Sequence, residues 1–302
     1  MGRAVSPAAW RERERLRRKN IADYFLRFSE PHREWLHQLA DAYKKKGVYP
    51  MFPVSTLPLF YENRNDREIA AFAGLLLKVN CRYDQIEAFH EMLGDHPWEW
   101  FDRRDFTALS LGDAQNGHTG GVLNWRIANF FEGLYFGSHS HDENGRAFRK
   151  TLGLLAEELV GGGDYSWSDA LLYLLTFCRY PNEDDFKIRL LLQVLGSSDG
   201  IGLGLWSVDP AVLKCPLIRG MREFVQTWFP DYKRYGDLDD AIGLFGFEKE
   251  CDFFYAYLGY RQLQKKNPKK CHVYATRYIE WYNNGMRKRP YLWREVQPKI
   301  VL

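Results

Sequence analysis

Apolar residues recur at helical spacing along most of the chain. In one segment, Ile69, Phe72 and Leu76 follow the spacing that places side chains on one face of a helix, and Asn65 or Asp66 is suited to cap its start. Alternating runs of β-branched residues bounded by turns, which are typical of strands, are nearly absent. The sequence therefore predicts an all-α fold.

The expected helices are short. They span residues 65–80, 81–93, 123–136, 147–160, 168–179, 186–195, 216–228, 237–244, 248–264 and 272–284. The most apolar of them, 168–179, is much shorter than the roughly 20 residues that a membrane-spanning helix needs, so no membrane protein is expected. With 302 residues the chain is long enough for one large core or two modest ones, and we expect a single helical body of two lobes.

The cysteines fit a reducing environment. They are odd in number and form no CxxC pair, which argues against both a disulfide framework and a zinc site. The five are Cys81, Cys178, Cys215, Cys251 and Cys271. We therefore expect a cytoplasmic protein.

Glycine-rich and histidine-containing segments lack the patterns of cofactor and metal sites. Gly200–Gly204 has the spacing GxGxG without the preceding strand of a dinucleotide-binding loop, and Gly161–Gly163 lacks the Lys-Ser/Thr of a phosphate-binding loop. The segment 138–145 holds two histidines and two carboxylates, which supply a metal site only if a third histidine such as His118 comes near. A solvated loop is the favoured interpretation, and neither a cofactor nor a metal is expected.

Charge divides the chain into three parts. The net charge of +3 combines +6 in residues 1–50, −12 in residues 51–260 and +9 in residues 261–302. We expect a basic helical extension over 1–50, a helical core over 51–264 and a basic, aromatic helix and tail over 265–302. The run 11–19 is compatible with a solvated helix and with an arm that contacts phosphates.

The C-terminal part alternates cations with aromatic residues. Cations hold phosphates and aromatic faces accept bases, so this pattern fits a nucleic-acid interface. It fits equally a terminal helix whose aromatic residues are core and whose lysines keep it in solution. The residues concerned are Lys265, Lys266, Lys269, Lys270, Tyr274, Tyr278, Trp281, Tyr282, residues 287–289, Tyr291 and Trp293.

The connector from Asp199 to Trp228 is the segment that most favours phosphate binding. Its glycines, Gly202 and Gly204 among them, let a backbone approach a phosphate, and the first amides of a helix attract anions. An ordinary turn between helices is the alternative. Glu250-Cys251-Asp252 follows on the next long helix.

Several motifs together resemble a bacterial family of the helix-hairpin-helix DNA glycosylase superfamily, which has phage thymine-hypermodification proteins as distant relatives. The resemblance covers roughly residues 55–262, and its parts occur in family order. They are Asn65-Asp66-Arg67-Glu68-Ile69-Ala70, Leu93-Gly94-Asp95-His96-Pro97-Trp98-Glu99-Trp100, Asp199 with Gly204-Leu205-Trp206, Pro216-Leu217, and Asp252-Phe253 with Leu258-Gly259. The resemblance implies a two-lobed helical protein that binds DNA.

One departure from the family concerns the catalytic position. After the Pro-Leu pair the family carries Asp-Thr-His, whereas this chain has Ile218, Arg219 and Gly220. The carboxylate that would stabilise a sugar cation is therefore missing from its expected place. The resemblance leaves Asp252 and Asp199 as candidate catalytic acids, because the family has aspartates there too.

The resemblance implies double-stranded, possibly modified DNA as the partner, with a flipped base either cleaved or processed, as in DNA repair or base modification. The candidate nucleic-acid-binding residues are Lys78, Gly202, Gly204, Trp206, Arg219, Lys265, Lys266, Lys269 and Lys270. A non-catalytic nucleic-acid-binding or assembly protein on the same scaffold is the alternative. The acidic centre also fits a protein-interaction scaffold.

Overall fold

A computed structural model describes most of the chain. The described residues are 11–13, 15–16, 19–20, 23, 25, 30–106, 109, 118–119, 122–139, 151–178, 186–234, 236–284 and 293–302. Most of the segment 138–145 and the basic residues 287–289 lie outside these ranges. The predictions made for them stay predictions.

The described residues are predominantly helical, which confirms the all-α class. The α-helices are α1 (Glu30–Lys46), α2 (Pro53–Thr56), α3 (Arg64–Ala73), α4 (Tyr83–Leu93), α5 (Pro97–Asp102), α6 (Asn124–His139), α7 (Leu152–Gly161), α8 (Trp167–Leu174), α9 (Phe186–Gly196), α10 (Met221–Trp228), α11 (Leu238–Gly243), α12 (Asp252–Lys266), α13 (Pro268–Asn283) and α14 (Trp293–Val296). Single 3-10 turns occur at Leu57–Phe60, Thr176–Cys178, Pro210–Val212 and Tyr232–Arg234. A hairpin of two-residue antiparallel strands, β1 (His118–Thr119) and β2 (Val122–Leu123), precedes α6. Among the described helices, none combines the length and the apolar character that crossing a membrane requires.

The chain forms two compact units. One, the discontinuous unit, combines Met1–Val48 with Ile218–Leu302, and the other, the continuous unit, is Tyr49–Leu217. The two units do not follow the three segments expected from charge, because both basic ends and the helices from α10 onward share one unit. The close packing of α12 on α1 explains this arrangement.

The discontinuous unit has an aromatic core. The rings of His32, Trp228 and Tyr278 are in mutual contact, with the His32 centroid 4.0 Å from Trp228 and 4.5 Å from Tyr278, and the Nδ1 of His32 is 2.7 Å from the hydroxyl of Tyr274. Burial lowers the pKa of His32 well below its ordinary value, so this imidazole is neutral. Gly259 of α12 lets the helix approach α1, since a Cβ there would lie 3.0 Å from the Leu39 side chain.

The continuous unit is organised around α3. Asp66 accepts the backbone N–H of Trp98 at 2.9 Å, and Glu68 accepts that of Gly153 at 3.1 Å, so two carboxylates of one helix cap the first turns of α5 and α7. Both acidic side chains are buried. The acidic residues of this segment therefore hold neighbouring helices in place.

Candidate functional site

Trp206 lies in the core of the continuous unit. The residue is 3% exposed, and its indole N–H donates to Glu68 Oε1 at 2.8 Å. The same oxygen accepts the N–H of Gly153, where a Cβ would lie 2.7 Å from the carboxylate. A buried ring offers no face to a base, so the expected nucleic-acid contact of Trp206 is corrected to a structural role.

Glu68 is a buried acid that stands out in the sequence only as part of the motif Asn65-Asp66-Arg67-Glu68-Ile69-Ala70. Burial raises the pKa of its carboxyl to about 7, although the hydrogen bonds from Trp206 and Gly153 and the charge of Arg64 act in the opposite direction. Oε2 is also buried and accepts no hydrogen bond from the described residues. The Arg64 guanidinium donates to the carbonyl of Leu205, which ties the connector to the start of α3.

The glycine-rich connector is closed by its own hydrogen bonds. The N–H of Gly202 donates to the carbonyl of Asp199 at 2.9 Å, and the N–H of Gly204 donates to that of Ser197 at 2.6 Å. A Cβ at Gly202 would lie 2.2 Å from the Ser197 carbonyl oxygen, and Gly204 has a φ of +59°. These glycines are needed for a tight turn, and their backbone N–H groups already donate hydrogen bonds within it. The expected binding of a phosphate by Gly202 and Gly204 is therefore corrected to a structural role in the turn.

Asp199, the first candidate acid, belongs to the same turn. Its carboxylate accepts a hydrogen bond from the Ser197 hydroxyl, and its own N–H lies 3.3 Å from that hydroxyl oxygen. This is the geometry of a local side-chain turn. The contacts of Asp199 therefore fix the connector, and a catalytic role for it stays a prediction.

Asp252, the second candidate acid, forms an ion pair at the start of α12. Its Oδ2 lies 2.7 Å from Lys44 Nζ of α1, and the two side chains are 14% and 18% exposed. Lys44 Nζ also lies 5.9 Å from the centroid of the Tyr255 ring. The pair joins the two helices that form the centre of the discontinuous unit, so the geometry gives Asp252 a structural partner, and its catalytic role stays a prediction.

The turn Ile218–Gly220 occupies the expected catalytic position. Ile218 is half-buried and Arg219 is exposed, and the carbonyl of Arg219 accepts the hydroxyl of Tyr257 at 3.0 Å. Gly220 has a φ of +94°, and a Cβ there would lie 2.7 Å from the Tyr257 hydroxyl oxygen. The pKa of Tyr257 is raised, mainly by burial. The charge of Glu223 raises it further, and the charge of Arg261 acts in the opposite direction.

The four C-terminal lysines lie together at a helical turn. α12 ends and α13 begins at Asn267-Pro268, and Lys265, Lys266, Lys269 and Lys270 on either side are all exposed. We call this surface the basic hairpin. The aromatic residues that follow are buried, which supports the core interpretation for them: Tyr274, Tyr278, Trp281, Tyr282 and Trp293. Lys78 is exposed on the continuous unit.

A cavity in the continuous unit was missed by sequence reasoning. It measures about 650 Å³ and is lined by Leu75, Leu76, Val122, Trp125, Arg126, Asn129, Phe130, Glu132, Gly133, Phe136, Phe177, Cys178 and Lys187. We call it the aromatic groove. Trp125, Phe136 and Phe177 are 58%, 43% and 56% exposed, respectively. Helical spacing predicts which residues share a face, but it does not tell a buried aromatic ring from an exposed one.

Metal ligands and relatives give no further assignment. Among the described residues, no group of three or more histidine, cysteine or acidic side chains is arranged to hold a metal ion. Comparison of the chain with protein-family models, with curated proteins and with solved structures finds no match.

Proposed function

We propose that this chain is a DNA-binding protein that holds the phosphate backbone on its basic hairpin. The observation that carries the proposal is the exposure of four lysines at one helical turn, in a C-terminal part whose described aromatic residues are buried. Exposed lysines that contact phosphates release condensed counterions, and this release dominates the affinity of proteins for DNA. The +9 charge of residues 261–302 supports the same interpretation.

The test is the salt dependence of binding to labelled duplex DNA. Replacement of Lys265, Lys266, Lys269 and Lys270 by serine is expected to weaken binding and to lower the slope of log K against log salt by up to about 3 to 4, since each phosphate contact contributes about 0.9. Replacement of the same four residues by arginine keeps the charge and is the matched control. An unchanged slope in the serine variant would contradict the proposal, and an absence of salt-dependent binding would favour a protein-interaction scaffold.

The finer proposal is a two-lobed protein of the helix-hairpin-helix glycosylase type that acts in the cytoplasm on a flipped base. It rests on the resemblance of residues 55–262, with Asp252 or Asp199 as the acid. Incubation with duplexes that carry damaged or modified bases, followed by alkaline cleavage and mass spectrometry of the bases, tests it. Lys44→Met breaks the same ion pair but keeps the carboxylate of Asp252. If Asp252→Asn no longer releases or converts the base while Lys44→Met still does, the result supports a catalytic role for Asp252.

The second candidate is a non-catalytic DNA-binding protein on the same scaffold. Two observations favour it: Ile218 stands where the family has its acid, and Asp252 is paired with Lys44. This candidate predicts DNA binding without any released or converted base. Equal loss of product in Asp252→Asn and Lys44→Met would also favour it, because a purely structural ion pair is broken by either change.

A further inference from the structure

The aromatic groove presents three large rings to solvent within one cavity. Single exposed apolar side chains are normal on protein surfaces, but clusters of them mark binding sites. Trp125 lies on the first turn of α6, Phe136 lies three turns further along, and Phe177 comes from the 3-10 turn Thr176–Cys178. Each of the three residues is at least 43% exposed.

Two glycines of α6 determine how the groove is built. A Cβ at Gly133 would lie 2.6 Å from the carbonyl oxygen of Phe177, and one at Gly137 would lie 2.3 Å from that of Leu174. The helix can therefore touch the backbone of the segment that carries Phe177. The thiol of Cys178 donates to the carbonyl of Phe130 at 3.4 Å and fixes the same turn. The position of the Phe177 ring thus depends on backbone contacts between two elements.

Among the described residues that line the groove, two are basic and one is acidic. Arg126 is exposed on its wall, and Lys187 Nζ donates to the carbonyls of Leu75 and Leu77 at 2.5 Å and 2.7 Å. Glu132 is the acidic residue that lines it, and Arg104 pairs with this carboxylate at 3.2 Å.

Arg104 also reaches a ring of the groove. The central carbon of its guanidinium lies 4.6 Å from the centroid of Phe136. Glu132 is paired with Arg104, and the exposed guanidinium of Arg126 favours an anionic ligand. The rings favour a planar one.

We propose that the aromatic groove binds bases of single-stranded DNA, which stack on Trp125 and Phe177 while Arg126 contacts a phosphate. Exposed rings next to cations are the combination that holds unpaired bases, because every base has an aromatic face. A peptide would satisfy the rings but not the surplus positive charge. This inference deepens the proposed DNA binding and rests on it, but it concerns a different surface, so the two are tested separately.

The experiment compares two labelled 12-nucleotide strands by fluorescence anisotropy: oligothymidylate and an abasic strand of the same length and charge. The wild-type protein is expected to bind oligothymidylate at least about tenfold more tightly, since stacking contributes about 1 to 3 kcal/mol for each base and the groove offers a ring to each of two bases. Trp125→Ala and Phe177→Ala are each expected to lose about tenfold on oligothymidylate and nothing on the abasic strand. Trp125→Phe keeps an aromatic face and should retain most of the preference.

The matched control is Tyr165→Ala, which removes an exposed aromatic residue of the same unit that does not line the groove. It should bind both strands like the wild type. Equal wild-type affinity for the two strands, or unchanged binding of oligothymidylate by both alanine variants, would overturn the inference. The serine variant of the basic hairpin separates the proposals: it should weaken the binding of duplex DNA, whereas the preference of the groove for oligothymidylate over the abasic strand should persist. Binding of neither strand overturns the inference, and the salt dependence of duplex binding decides the hairpin proposal by itself.

Discussion

Glu68 makes the stability of the continuous unit depend on pH. Its contribution to the free energy of unfolding falls as the pH rises towards neutrality. Its carboxyl is fully buried, and its folded-state pKa of about 7 lies above the ordinary value of 4.5 expected in the unfolded chain. The folded protein therefore holds this proton more tightly than the unfolded chain does. The contribution of Glu68 to stability is complete below pH 4.5 and is lost as the pH rises through 7.

The size of the effect follows from the two pKa values. The separation between 4.5 and about 7 corresponds to roughly 3 kcal/mol in total, at 1.36 kcal/mol for each pKa unit. Between pH 5 and pH 8 the unfolding free energy should fall by about 2 to 3 kcal/mol on account of Glu68 alone. Glu68→Gln keeps an acceptor for Trp206 and Gly153 but has no proton to lose, so this part of the pH dependence should disappear.

Urea unfolding of the wild type and of Glu68→Gln at pH 5 and pH 8 measures the effect. The difference in unfolding free energy between the two proteins should shift by about 2 to 3 kcal/mol in favour of the variant at the higher pH. Parallel pH profiles would refute the assignment of a raised pKa to this carboxyl. Glu68→Ala separates charge from hydrogen bonding, because it leaves two buried donors without an acceptor and should cost about 2 to 6 kcal/mol even at pH 5.

Three further changes test the packing. Gly153→Ala places a Cβ 2.7 Å from the buried carboxylate and should lower the melting temperature, at a cost of about 1 to 3 kcal/mol. Gly133→Ala should displace the turn that carries Phe177 and so abolish the base preference of the groove, as measured by fluorescence anisotropy. It should also cost a similar amount of stability, as measured by thermal melting. Asp252→Asn leaves Lys44 without its carboxylate and should cost about 1 to 3 kcal/mol in urea unfolding, less than for a fully buried pair.

The sequence predicts where helices lie better than where they end. α3 was expected to run to about residue 80, but it ends at Ala73. Gly74 follows, and a Cβ there would lie 2.5 Å from the Cα of Val54. Such a contact between residues distant in sequence determines where the helix ends. The helical spacing of apolar residues in the segment does not predict it. The expected cap was Asn65 or Asp66, but Asn63, two or three residues earlier, supplies it.

The candidate site was less predictable than the fold. Burial decides whether Trp206 can stack on a base, and burial depends on the Glu68 acceptor far away in sequence. Likewise, the ion pair of Asp252 with Lys44 joins residues far apart in sequence, so no motif predicts it, and the catalytic role of Asp252 stays a prediction. By contrast, the expected helices 248–264 and 272–284 leave the four lysines between them, and the structure places a turn there at Asn267-Pro268; the binding of nucleic acid by these lysines stays a prediction.

The discontinuous unit is assembled from two separated segments, and this affects how the chain folds. α1 is synthesised early, but α12, which covers its apolar residues Trp35, Leu36 and Leu39, follows only after Tyr49–Leu217 has been made. Joining the segments closes a long loop, at an entropic cost on the order of 4 to 5 kcal/mol if that loop is still flexible. During translation the apolar face of α1 therefore stays exposed until α12 has been made. A truncated product that stops before α12 should aggregate or recruit chaperones.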